Sequence, residues 1–162
     1  MKKTLAIAAL ALLVAGAAQA QTASITATAV VAGPLGLTSS SNLDFGTVIP
    51  GTARVVDPLA NTSAGTFVFA GGANAQLSLT WVFPATLTDG TNTMPVTFAP
   101  VYNTTNVQGS AVALTTPVDL TRRLSGTGTG YIWVGGTVTP AAGQVANTYT
   151  GTVQLTYGYT GN

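Results

Sequence analysis

Beyond residue 20, apolar residues recur at every second position in short bursts, and Gly, Pro, Asn or Asp closes most of them. That period belongs to a strand with one buried face. A helix would need apolar residues three and four apart, and no stretch after residue 20 sustains that spacing. The clearest run is 76–83, where Leu77, Leu79, Trp81 and Phe83 share one face and Ser78 and Thr80 the other. Pro84 ends it, having no N–H to donate to a ladder. Residues 66–70 form a second run closed by Gly71-Gly72, and Asp89-Gly90 marks a hairpin turn before the run 94–98. Further strands are expected at 43–49, 53–56, 111–114, 131–138 and 148–159. Seven or more short strands with turn signals every ~8–12 residues predict an all-β fold, an immunoglobulin-like β-sandwich. An outer-membrane barrel would need alternating segments of ~10 residues and aromatic girdles, and several of these runs are shorter.

The first twenty residues follow another logic. Lys2 and Lys3 precede an apolar run at 5–14, and Ala18-Gln19-Ala20 gives a small-x-small cleavage pattern, so a signal peptide is expected at 1–20 with Gln21 as the new N-terminus. The apolar run falls short of the ~20 residues a spanning helix needs, so no membrane span is expected in the mature form. Of the 162 residues, 21–32 read as an N-terminal arm and 33–162 as one β-sandwich domain. With no cysteine in the chain, neither a disulfide nor a lipid anchor on a cysteine can form.

Function classes narrow sharply on residue type. After residue 20 the chain has no His, Cys, Lys or Glu; its charges are Arg54, Arg122 and Arg123 against Asp44, Asp57, Asp89 and Asp119, a side-chain sum of −1. Most catalytic and metal sites draw on the missing types as base, nucleophile or ligand. No catalytic residue, metal ligand or cofactor is therefore expected, and no enzyme. No basic patch is present for nucleic acid. High apolar content and low charge are the reverse of a disordered composition. So few charges suit a protein that packs against copies of itself or sits in an extracellular matrix.

The remaining motifs are weak. Ser125-Gly126-Thr127-Gly128-Thr129-Gly130 has phosphate-loop glycines, but a strand follows where a helix is needed, so a β-turn is expected. Asn61 and Asn103 each open a glycosylation sequon, which is read as a coincidence. The aspartates are too scattered for a dyad or a calcium loop; Asp44, Asp57 and Asp89 suit turns and strand ends. Arg122-Arg123 read as an exposed loop pair. Trp81, Phe83, Tyr131 and Trp133 could stack on a sugar ring, yet three of them alternate as core residues do.

The two ends of the expected mature chain are the most informative. In the last run, 149–159, Val153, Leu155, Tyr157 and Tyr159 share a face opposite Thr152, Gln154 and Thr156, and only three residues follow. In the run 22–31, Ala23, Ile25, Ala27, Ala29 and Val31 alternate with Ser24, Thr26 and Thr28, with no charge. This segment is either the first strand of its own sheet or a donor strand for a neighbouring subunit. In the second case its backbone would complete an open edge. The acceptor groove would then run beside Val153, Leu155, Tyr157 and Tyr159.

Leu43-Asp44-Phe45-Gly46-Thr47-Val48-Ile49-Pro50-Gly51 resembles the L-x-F-G…P-G segment of certain secreted bacterial domains of unknown function. Gly130-Tyr131-Ile132-Trp133-Val134-Gly135-Gly136-Thr137-Val138, then Gly143 and Tyr149-Thr150-Gly151-Thr152-Val153-Gln154-Leu155-Thr156-Tyr157, resembles their C-terminal signature. Asn147 stands at a Gly position of that signature, and the disulfide cysteines of some relatives are missing. Those domains look related to spore coat protein U and to archaic chaperone–usher pilins. The resemblance implies an incomplete immunoglobulin-like sandwich completed by the next subunit's N-terminal segment. It also implies a homopolymer at the cell surface or in the matrix, with an adhesion or biofilm role, reached through the periplasm by way of a chaperone and an outer-membrane usher. The alternative is a monomeric secreted coat or carbohydrate-binding module.

Overall fold

The computed structural model describes Ile25, Thr26, Ala29, Val31 and residues 33–60, 62–115 and 119–161. The expected signal peptide lies outside these residues. The chain divides into two compact units, residues 1–30 and 31–162. In the first, Ile25, Thr26 and Ala29 have no regular structure; among the described residues the second carries every strand.

Among the described residues ten strands are formed: β1 (Gly36–Ser41), β2 (Arg54–Val56), β3 (Gly65–Ala70), β4 (Gln76–Val82), β5 (Thr86–Thr88), β6 (Thr93–Asn103), β7 (Val112–Ala113), β8 (Asp119–Arg123), β9 (Thr129–Val138) and β10 (Gln154–Tyr159). All pairings are antiparallel. A seven-stranded sheet runs β1-β3-β9-β6-β5, with β2 added to β9 and β7 to β6; a three-stranded sheet runs β10-β4-β8. Between them lies one apolar cluster: Phe69, Leu77, Leu79, Trp81, Tyr102, Leu114, Leu124, Ile132 and Val134. The protein is thus an all-β sandwich, as the two-residue period predicts.

The long strand β9 is buried on both faces. Ile132 and Val134 enter the main cluster, while Trp133 between them joins Val56, Ala64 and Val101 in a second one. Such a strand has no room for side chains where neighbours cross it. A Cβ on Gly135 would fall on the Val56 carbonyl oxygen, and one on Gly136 on that of Thr97. The double glycine is therefore a packing requirement.

Several expectations need correction. Residues 43–49 form no strand: Asp44 turns back to accept the Gly46 N–H at 2.7 Å, and Gly46 sits at φ +64°. Pro50-Gly51 then closes a turn, with Gly51 at φ +76° and Thr52 N–H donating to the Ile49 carbonyl at 3.0 Å. The run 148–159 is a strand only over β10. Upstream, Thr150 exchanges a pair of 2.8 Å hydrogen bonds with Thr88, so the chain first touches the large sheet's β5 before crossing to the small sheet. Arg122 and Arg123 lie in β8, not in a loop. Strand β1, with sequence GLTSSS, carries no sequence signal strong enough to announce it and exists by pairing with β3.

Candidate functional site

Strand β10 pairs with β4 in a register that sets Leu155 opposite Trp81, Tyr157 opposite Leu79 and Tyr159 opposite Leu77. Directly opposed residues of an antiparallel pair share a face. Leu77, Leu79 and Trp81 are buried, so Leu155, Tyr157 and Tyr159 point into the sandwich, and Val153 packs against the same cluster just before the strand begins. All four expected groove residues are thus brought together. Each is only partly buried. The reason is topological: among the described residues β10 pairs with β4 alone, and nothing covers its outer flank. Alternate residues of such an edge aim their N–H and C=O groups outward.

The opposite wall is β1, which closes the large sheet's other end and, among the described residues, pairs with β3 alone. Leu35 and Leu37, both partly buried, pack on the same cluster as β10. The two free edges thus flank one apolar seam. Phe69 forms part of its floor, meeting the Tyr157 ring edge-on at 5.7 Å. At one end the Tyr159 hydroxyl donates to the Gly33 carbonyl at 2.8 Å and accepts the Gly72 N–H at 2.7 Å. A Cβ on Gly71 would press on both Leu35 and the Tyr159 hydroxyl, so the walls converge there. Sequence reasoning missed Leu35, Leu37 and this hydroxyl bridge; the only hint was the two-residue spacing of the leucines. One buried donor in the same core, the Trp81 indole N–H, has no hydrogen-bond partner.

Of the expected donor residues, Ile25 is 97% and Val31 93% exposed, and Ala29 is exposed. Ala23 and Ala27 lie outside the described residues.

The other candidates resolve into structural roles. Trp81 stacks on Phe83 (centroids 5.1 Å apart), which stacks on Phe98 (5.0 Å), inside the main cluster. Tyr131 and Trp133 stack in the second cluster. The four aromatics do not make one platform. In the 125–130 turn, Ser125 Oγ accepts the N–H groups of Thr127 and Thr129, and the Ser125 carbonyl accepts that of Gly128, so these amides are committed to the turn. Asn103 donates to the Val107 carbonyl and to Ser110 Oγ; Asn61 lies outside the described residues. Asp44, Asp57 and Asp89 each cap a turn. An open depression of about 90 Å³, lined by Val48, Pro50, Met94, Pro140, Val145 and Tyr149 among others, is small beside the ~300–1,000 Å³ of ordinary ligand pockets. No protein-family model matches the chain, and no curated protein matches it.

Proposed function

We propose that this chain is an exported structural subunit that polymerises by donating its N-terminal arm to the open β10 edge of the next copy. The polymer would be a pilus-like or fibrous assembly at the cell surface or in the extracellular matrix. The observation that carries the reading is the half-buried row Leu155, Tyr157 and Tyr159 on a strand with a free flank. An apolar edge of this kind invites strand addition. The arm has the period of two that fits it: burying Ile25 and Val31 would stabilise the complex by about 1.5–3 kcal/mol each, and the alanines let backbones approach. A one-residue slip would turn Ser24, Thr26 and Thr28 inward, which makes the register strict.

Chain direction favours donation between copies. Tyr159, at the C-terminal end of β10, holds Gly33, where the arm joins the domain. An arm folding back from that point onto its own β10 would run parallel to it, the less stable pairing; an arm from another copy is free to run antiparallel. The passage through the periplasm, a chaperone and an usher belong to the same reading.

Electron microscopy and light scattering of the chain beginning at Gln21 test it. Unaltered subunits are expected to form heat-stable polymers, and Ile25→Asp subunits to remain folded single copies. Polymers of normal length and stability from Ile25→Asp would overturn the mechanism. An unaltered chain that stays a stable single copy would instead identify a self-contained coat or carbohydrate-binding module.

A further inference from the structure

The small sheet has two ends, and they differ in charge. Strand β10 has no charged residue, whereas β8, at the other end, has Asp119, Arg122 and Arg123 in five positions. Every arginine of residues 21–162 lies on a strand with a single partner among the described residues: Arg54 on β2, Arg122 and Arg123 on β8. The two strands that wall the apolar seam have none.

Arg122 holds the unusual position. Register places it opposite Leu77, which is 1% exposed, so it lies on the core-facing side of β8, where its neighbours across the ladder are apolar. It escapes burial by curling back along its own strand: Nη1 donates to the Thr121 carbonyl at 2.9 Å, and the residue keeps part of its surface in water. Arg123, on the other face, donates to the Asn74 carbonyl at 2.9 Å and ties this edge to the loop between β3 and β4. A strand laid beside β8 would seal the guanidinium of Arg122 against apolar side chains. Removing an uncompensated charge from water is strongly unfavourable, and inward-pointing charges on edge strands block pairing for that reason.

We propose that Arg122 bars strand addition at β8, so that a second copy of this chain can extend the small sheet only at β10. This rests on the polymer reading for the role of β10, but the closure of β8 is testable without it. In a subunit so guarded, growth is one-sided and polymers stay unbranched.

The test uses the chain from Gln21 carrying Ile25→Asp, with Arg122→Leu, Arg122→Gln or Arg122→Lys added. Mass by light scattering and amide exchange are followed against concentration. The Leu and Gln variants are expected to move from single-copy mass to two or more copies as concentration rises, with new exchange protection at residues 119–123. The Lys variant and the parent are expected to stay single. Should Arg122→Leu fail to fold, Arg122→Gln, which keeps a polar head and loses only the charge, decides the matter. Single-copy mass with unchanged β8 exchange in the folded uncharged variants would overturn the proposal, as would association that protects β10 instead. Failure of the unaltered chain to polymerise would count against the function reading alone.

Discussion

A single oxygen, the hydroxyl of Tyr159, joins three parts of the chain: β10, the Gly33 carbonyl ahead of β1 and the Gly72 N–H after β3. Deleting it leaves a part-buried amide without its acceptor, which costs about 1–3 kcal/mol. Tyr159→Phe is therefore expected to lower stability by about that amount in urea unfolding, with faster exchange of the Gly72 amide. A variant as stable as the parent would show that water replaces the hydroxyl at no cost. At this scale the sequence told which residues turn inward, because side-chain alternation is a local property. It could not tell which backbone groups an inward tyrosine would meet. The glycines divide the same way: Gly90 reads as a turn residue, and at φ +98° it is one, whereas the need for Gly135 and Gly136 arises from strands β2 and β6 crossing them.

Among the elements, the β5–β6 hairpin is the one whose turn chemistry is most complete. The Asp89 carboxylate accepts the side-chain amide of Asn92, the N–H groups of Asn92 and Thr91, and the side-chain amide of Asn147. These bonds, the Asn92 side chain foremost, hold its carboxyl well below the ordinary aspartate range, against a smaller opposing push from burial. A depressed folded-state value means that the stabilisation is present above the unfolded value of ~3.9 and fades as pH falls below it. Asp89→Asn is thus expected to melt below the parent at pH 7, with the gap between the two midpoints narrowing once pH drops under ~4. A gap independent of pH would deny the carboxylate its part. Elements with their own alternation, β3, β4, β9 and the first half of β6, were legible in sequence; β6 itself runs on past Phe98 to Asn103. Those formed by pairing alone were not: β1 is GLTSSS and β8 is DLTRR, and each becomes a strand because β3 and β4 offer a ladder. Residues 43–49 failed in the opposite sense, since an Asp side chain and a left-handed glycine made a local turn that outcompeted extended pairing.

For the whole molecule, one wall of the apolar seam was readable and the other was not, because Leu35 and Leu37 sit among Gly and Ser that conceal their period. The seam also joins the most distant parts of the fold. Tyr159 reaches Gly33 across 126 positions, and β10 meets β4 only after β5 to β9 have been laid down. Contacts of such long range are closed against chain entropy, and folds dominated by them complete in milliseconds to seconds. Closing a loop of that length costs chain entropy, so the tyrosine latch is expected to form after the folding barrier. Stopped-flow kinetics should then give Tyr159→Phe the parent's refolding limb and an unfolding limb raised about tenfold for each ~1.4 kcal/mol lost. An equal slowing of refolding would place the latch in the nucleus. With a late latch, the last region to close is the β10 edge, and under the polymer reading proposed above a newly folded chain would pass through a period in which that edge is still pliable. A strand donated to that edge would then gain from the chain's own order of folding, and the sequence of events within one molecule would become a timer for what happens between two.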